Sequence, residues 1–194
     1  NMAAVKNLCT RGLVLENGKS VFEGTAQNCV EFYLENRNIE TRSLLTERKD
    51  RKGSGDLSFK KVITKNNGSD IKDLQSGCKA EFEIYFKIKT PIEGVVFRLA
   101  ILDNNETTLF ICNNRISSKP IDKIYDDGCI KLVIPDLPLS EGIYYYNISA
   151  KSKENLLDYV EYAGSFTVIA DDFYETGKLP KAKTAILVKN HWHL

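Results

Sequence analysis

The side chains best equipped for chemistry in this chain are scattered along it. His191 and His193 flank Trp192 in "HWHL" at the chain end. An H-x-H pair offers two imidazole ligands, but a metal needs a third or fourth donor and none stands near in sequence. The favoured reading is a packed tryptophan between solvated histidines. Asp126-Asp127, Asp171-Asp172 and Glu161 are carboxylates of the type that cleave glycosidic bonds as an acid–base pair. Acidic turns carry the same residues, and nothing in the sequence marks a raised pKa. The cysteines Cys9, Cys29, Cys78, Cys112 and Cys129 are odd in number and form no C-x-x-C. They read as free thiols of a reducing compartment and not as a disulfide or zinc framework. No Ser-His-Asp arrangement and no G-x-x-x-x-G-K-[ST] loop is legible. The sequence therefore assigns no catalytic, cofactor-binding or metal-ligating residue.

Composition narrows the partners. The formal net charge is +1, from 27 basic and 26 acidic residues among 194. That balance gives no field for nucleic acid or an anionic membrane surface. The densest apolar run, "VVFRLAIL", carries Arg98 and falls short of the roughly 20 residues that span a bilayer. Direct membrane insertion is not expected. The triplets at Asn67, Asn105 and Asn147 match N-x-[ST] and are taken as chance.

Two regimes of hydrophobic period position these residues. In residues 1–38, "MAAVKNLC" spaces Met2, Val5, Leu8 and Cys9 on one helical face. "RGLVLENGKSVFEG" gives two short strands around Asn17-Gly18, a pair suited to a tight type I′ turn. Thr25 reads as the N-cap of "AQNCVEFYLENRN", whose Val30, Tyr33 and Leu34 share a face. Fewer than 40 residues bury too little surface to stand alone, so this unit must pack on something else. Residues 39–55 are charged and end in Gly-Ser-Gly, which reads as a linker. Within it Leu44 and Leu45 are suited to anchor a short helix, and Arg48, Lys49, Arg51 and Lys52 read as a solvated face. From Asp56 the period becomes two. "LSFKKVIT", "CKAEFEIYFKIK", "VVFRLAILD", "TTLFICNN", "GCIKLVIPDLPL", "GIYYYNISAK", "VEYAGSFTVIA" and the tail "TAILVKN" read as strands. About eight short strands with frequent turns predict an immunoglobulin-like antiparallel β-sandwich over 56–194.

The opening segment resembles the last part of an ABC-transporter ATPase domain. Met2, Val5, Leu8, Cys9, Arg11, Gly18, Gly24, Val30 and Tyr33 fill that family's positions. The resemblance implies that the family's switch histidine, phosphate loop, signature motif and catalytic glutamate lie upstream, with ATP and Mg bound there and no cofactor in residues 1–194. An ATPase end followed by a sandwich is similar to the ATP-binding subunit of exporters for lipid-linked O-antigen polysaccharides. "IPDLPLSEGIYYYNIS" resembles that family's Leu-Pro-Leu and Gly-x-Tyr, here Leu137, Pro138, Leu139, Gly142 and Tyr144. "LFICNN" and "YVEYAGSFTV" resemble two of its strands. The resemblance implies a cytoplasmic subunit at the inner-membrane face, paired with a transmembrane permease through the ATPase domain. It also implies a sandwich that binds the end of the glycan.

Strand alternation selects the surface. Tyr144, Tyr146 and Ile148 turn to the core if Gly142-x-Tyr144 forms a tyrosine corner. The outward set is then Arg98, Tyr145, Asn147, Ser149, Ser165 and Thr167. An aromatic face covers the apolar side of a pyranose, Asn and Ser pair with hydroxyls, and an arginine fork holds a carboxylate or phosphate. A solvated sheet face carries the same residue types.

The expected function is non-catalytic recognition of the non-reducing end of a lipid-linked O-antigen-type polysaccharide, coupled to export. Two alternatives stay open: a dimerisation module that reads no sugar, and a glycan-modifying enzyme. The late strand around Ile186 to Val188 is expected to cross to a second copy in a homodimer.

Overall fold

The computed structural model describes residues 2–16, 18–41, 44–69, 73–179 and 184–192. Helix α1 (Met2–Leu8) leads into the hairpin of β1 (Arg11–Glu16) and β2 (Lys19–Thr25), and α2 (Ala26–Thr41) follows. Gly18 supplies the left-handed step of the hairpin at φ 78°. Asn17 and His193 lie outside the described residues, as does the side chain of Leu34. The Asn28 N–H donates to the Thr25 hydroxyl at 3.2 Å, so Thr25 satisfies one of the helix's orphan donors. Helix α2 packs on the hairpin through the buried Ala26, Cys29 and Val30.

The remaining strands are β3 (Leu57–Asn66), β4 (Asp73–Gln75), β5 (Ala80–Ile88), β6 (Ile92–Leu102), β7 (Thr108–Asn113), β8 (Ile121–Ile124), β9 (Gly128–Ile134), β10 (Gly142–Ser152) and β11 (Asn155–Ile169). They form a mainly-β, immunoglobulin-like sandwich. The smaller sheet runs β3-β5-β9; the larger runs β4-β11-β10-β6-β7, with β8 beside β6. Every pairing is antiparallel except β4 with β11, which is parallel. The short β4 and β8 and the one-turn α3 (Asn114–Ser117) escaped the sequence reading because each is too brief to show a period.

Alternation places the core as expected. Phe82, Ile84 and Phe86 of the smaller sheet meet Phe97, Leu99, Ile101, Tyr144, Tyr146, Ile148, Phe166 and Val168 of the larger. The Tyr144 hydroxyl donates to the Ser140 carbonyl at 3.0 Å, closing the corner that fixes which way β10 faces.

The outer face of the smaller sheet carries a charge lattice. Lys131 bridges Glu81 at 3.1 Å and Glu83 at 3.2 Å, while Lys65 meets Glu83 at 3.2 Å and Lys79 holds Glu81. Hydrogen bonds from Lys79 and Lys131 hold Glu81 below its ordinary 4.5, and bonds from Lys65 and Lys131 do the same for Glu83. A carboxyl with a depressed folded pKa stabilises the fold above its unfolded value and loses that contribution as pH falls through the folded one. Thermal unfolding should thus show a midpoint that is flat through neutral pH and drops below about pH 4.5. Lys131→Ala should flatten that drop; an unchanged acid limb would show that the lattice contributes nothing.

Three expectations are corrected. The stretch read as a solvated linker is clamped to the sandwich from residue 45 onward. Leu45 opens a single 3-10 turn (Leu45–Glu47) and is buried in the main core. Arg48 is 8% exposed and donates to the Glu161 and Tyr162 carbonyls at 2.8 and 3.1 Å. Arg51 pairs with the buried Asp158 and reaches the Leu45 and Phe59 carbonyls. Lys52 exchanges backbone hydrogen bonds with Tyr159. Gly53, at φ 127°, lies so close to this strand that a Cβ would stand 2.6 Å from the Leu157 oxygen. The physical reason is that guanidinium groups satisfy carbonyls on a strand edge that charge counting along the sequence does not reveal.

The second correction concerns the tail. Residues 184–190 form no strand; Ile186 makes a single bridge to Leu139. The Leu187 N–H donates to the Pro138 carbonyl at 2.9 Å and the Ser140 N–H to the Ala185 carbonyl at 3.0 Å, which buries Leu187. The third is Trp192. It is 94% exposed, its indole N–H donating to the Asn190 side-chain carbonyl at 3.0 Å, because Leu187 is the last buried residue among those described.

Candidate functional site

The six outward residues read from the sequence do share the outer face of the larger sheet, but the fold puts them to different uses. Ser149 stands opposite Arg98 across β10 and β6. Tyr145 stands opposite Ser165, and Thr167 opposite Ile143, toward the other end of β10. The expected exposed platform at Tyr145 is not there. Its ring is 8% exposed, edge-on to Tyr162 at 5.8 Å, in a small cluster with Leu102. A bulge explains this. Between Tyr146 and Ile148 of β10 lies one residue, but between their partners Gly164 and Val160 on β11 lie three. The extra chain turns through Tyr162 at φ 47° and folds its ring over Tyr145. Asn147 is consumed by the same bulge: its Oδ1 accepts the Tyr162 N–H at 2.7 Å. Arg98 and Thr167 remain half-buried and Ser165 exposed, while Ser149 is nearly covered.

Beyond the bulge the register assembles a row that the sequence reading did not contain. Lys52 bridges to Tyr159, Tyr159 pairs with Ser149, Ser149 with Arg98, and Arg98 with Asn113. Facing residues of neighbouring strands lie about 5 Å apart, so the row runs roughly 19 Å across the face. Its chemistry is cation, aromatic, hydroxyl, guanidinium, amide. Lys52 Nζ sits 5.6 Å from the Tyr159 ring centroid and 3.1 Å from Glu161. Burial, then the Glu161 charge and its hydrogen bond, push the Tyr159 phenol up, while Arg98 pulls it back. Asn113 Oδ1 caps α3 by accepting the Arg115 N–H at 2.8 Å, leaving its NH₂ as a donor. One row along the strands lie Ala100 and the exposed Ile111, an apolar shelf beside the guanidinium.

The row ends at a cleft. Because the larger sheet overhangs the smaller at β9, a cavity of about 280 Å³ opens between β9 on one side and β6, β7 and α3 on the other. Phe97, Leu99, Cys112 and Ile130 line its floor, and Arg98, Asn113 and Lys131 border it. Burial pushes the Cys112 thiol up, so it behaves as an apolar wall. Among the described residues no three His, Cys, Asp or Glu side chains converge as a metal site would need.

These features define an immunoglobulin-like sandwich module with a polar row across one open face and an appended helix–hairpin–helix. Residues 48–179 match the family described as the Wzt C-terminal domain. The chain belongs to that family, the C-terminal region of the ATP-binding subunit of O-antigen-exporting ABC transporters. The family match begins at Arg48, inside the stretch read as linker. A crystal structure of the C-terminal domain of Wzt is similar in fold, with a TM-score of 0.62 at 16% identity over 76% of this chain and 90% of that one. Parabacteroides merdae β-glucuronidase matches at a TM-score of 0.38 and 14% identity, over 58% of this chain and 13% of that one. The CARDB domain of PF1109 from Pyrococcus furiosus reaches 0.34 at 15% identity, over 60% of this chain and 88% of that one. No curated protein sequence matches the chain. Among the described residues no helix is long and apolar enough to cross a membrane.

Proposed function

We propose that this chain recognises the non-reducing end of a lipid-linked O-antigen-type polysaccharide and couples it to ABC-transporter export without itself catalysing a reaction. The observation that carries the reading is the row from Lys52 to Asn113 on a Wzt-family sandwich. Tyr159 offers a ring to the apolar side of a pyranose, while Ser149, Asn113 and Arg98 offer hydrogen bonds to its edge. Recruitment is the mechanism: the face holds the glycan end beside the transporter. Residues 1–38 are the end of the ATPase domain, which binds ATP and Mg upstream and reaches the permease at the cytoplasmic side of the inner membrane.

Tyr159→Ala should weaken binding of an O-polysaccharide by about fivefold or more, the loss of roughly 1 kcal/mol of ring contact. The fold should be retained, since the ring lies outside the core. Intact and end-trimmed polysaccharide are compared by calorimetry. Equal binding of both, or no effect of the substitution, would sink the reading.

The alternative dimerisation role rests on the tail. Within one chain, Ala185 and Leu187 close on residues 138–140. Exchange of the same contacts between two copies would make a homodimer with little new surface. Removing residues 180–194 should then yield monomers or aggregates. A truncated chain that stays dimeric by light scattering rules the tail out as the dimer element.

A further inference from the structure

We propose that Arg48 is a positioning residue for glycan recognition: from the segment that leads in from α2, it fixes the β11 bulge that brings Tyr159 into the outer row. This rests on the glycan-recognition reading above and names what aligns that surface.

The bulge decides which residue of β11 faces Ser149. Gly164 pairs with Tyr146 on one side of it, and Tyr159 pairs with Ser149 on the other. Regular pairing carried on from Gly164 would set Glu161 opposite Ser149 and move Tyr159 to Lys151. The two extra residues of β11 therefore put a ring in the row where a carboxylate would otherwise stand. Their even number keeps that ring on the outer face.

Such a bulge must be held. Tyr162 takes the left-handed step at φ 47°, a conformation that costs a Tyr side chain energy. Asn147 secures its N–H at 2.7 Å. The carbonyls need a donor too, because the strand partners along this edge stop short of them. Residues 52–55 meet 156–159, and β4 meets 167–169. Arg48 spans the gap, donating to the Glu161 carbonyl at 2.8 Å and the Tyr162 carbonyl at 3.1 Å. Asp50 aims the same guanidinium, accepting from its Nε at 2.7 Å and from a terminal nitrogen at 2.5 Å. The buried charge thus brings its counter-ion within the segment. Leu45 in the core and Arg51 on Asp158 pin the segment on either side of Arg48. Leu45 follows the last residue of α2, Thr41, by four positions. The helix–hairpin–helix and the glycan row are therefore joined through one short, buried strap.

The test titrates the 194-residue chain and its variants with O-polysaccharide released from the lipid of the strain that encodes it. Arg48→Met should weaken binding about fivefold, as much as Tyr159→Ala, and the double variant should lose little more than either. Arg48→Lys, with one arm in place of the fork, should lose an intermediate amount. It carries the same comparison if Arg48→Met fails to fold. Ile124→Ala, a core substitution in β8, lowers stability but should bind as the unaltered chain does. Hydrogen exchange of the Tyr162 amide should quicken in Arg48→Met and not in Ile124→Ala. Losses that add between Arg48 and Tyr159 would overturn the proposal, since Arg48 would then act elsewhere than through that ring. Ile124→Ala weakening binding as much as Arg48→Met would also overturn it, because affinity would then only follow stability. Unchanged binding and exchange in Arg48→Met would overturn it while leaving glycan recognition standing. No binding to the unaltered chain at millimolar concentration would overturn both.

Discussion

Asp158→Ala is expected to lower the unfolding free energy by about 3–5 kcal/mol, the cost of breaking a buried ion pair from one side. Asp158 is 2% exposed. Its carboxylate accepts the Phe59 N–H at 2.8 Å and both arms of the Arg51 guanidinium. Removing it leaves the Arg51 charge half-buried and the Phe59 amide without its acceptor. Arg51 in turn ties the Leu45 and Phe59 carbonyls, so the loss spreads to the segment that leads in from α2. Urea unfolding measures the effect, and a cycle with Arg51→Met should show that the two losses do not add. A loss below about 1 kcal/mol would mean that the pair is solvated, as surface pairs are. The same pair decides where the domain can be cut. A fragment begun at Asp56 discards Arg51 and strands the carboxylate.

Phe82→Ala should cost about as much, roughly 3–5 kcal/mol, for a different reason. Phe82 is 0% exposed and sits where the two sheets face each other. Its ring meets Tyr146 at 6.0 Å and Phe166 at 5.5 Å, both edge-on. Those rings belong to paired strands of the larger sheet and cannot close the gap without shifting β10 and β11 together, so the cavity persists. Tyr85→Ala, on the other face of the same strand under Lys61 at 4.5 Å, should cost much less. Equal costs at the two positions would show that the inward and outward faces of β5 are not distinct.

The sequence made the sandwich legible because its signals are local. Alternation in β10 named Tyr144, Tyr146 and Ile148 as inward, and all are in the core. The site was only half legible. Arg98 and Ser149 come together as expected, but Tyr145 does not serve as the platform, since nothing local announces that three residues will bulge opposite one. Tyr159 was within reach. Counting outward positions back from Ser165 past the glycine lands on it, because the bulge adds an even number of residues. Lys52 was not within reach, since its place beside Tyr159 depends on a pairing between distant segments.

That distance also orders events during synthesis. The outer edge of β11 is closed by two pieces of early chain, residues 52–55 on one side of the bulge and Asp73–Gln75 on the other. The Arg51–Asp158 contact alone spans 107 residues. A ribosome that has released β3 to β10 has therefore made a sheet whose lead-in segment has nothing to hold and whose core lacks Phe166 and Val168. The last long strand to emerge is the one that locks the first in place. Closure of this domain is thus a late, cooperative step, governed by contacts of high sequence separation, and until it occurs the nascent chain depends on being kept from its neighbours.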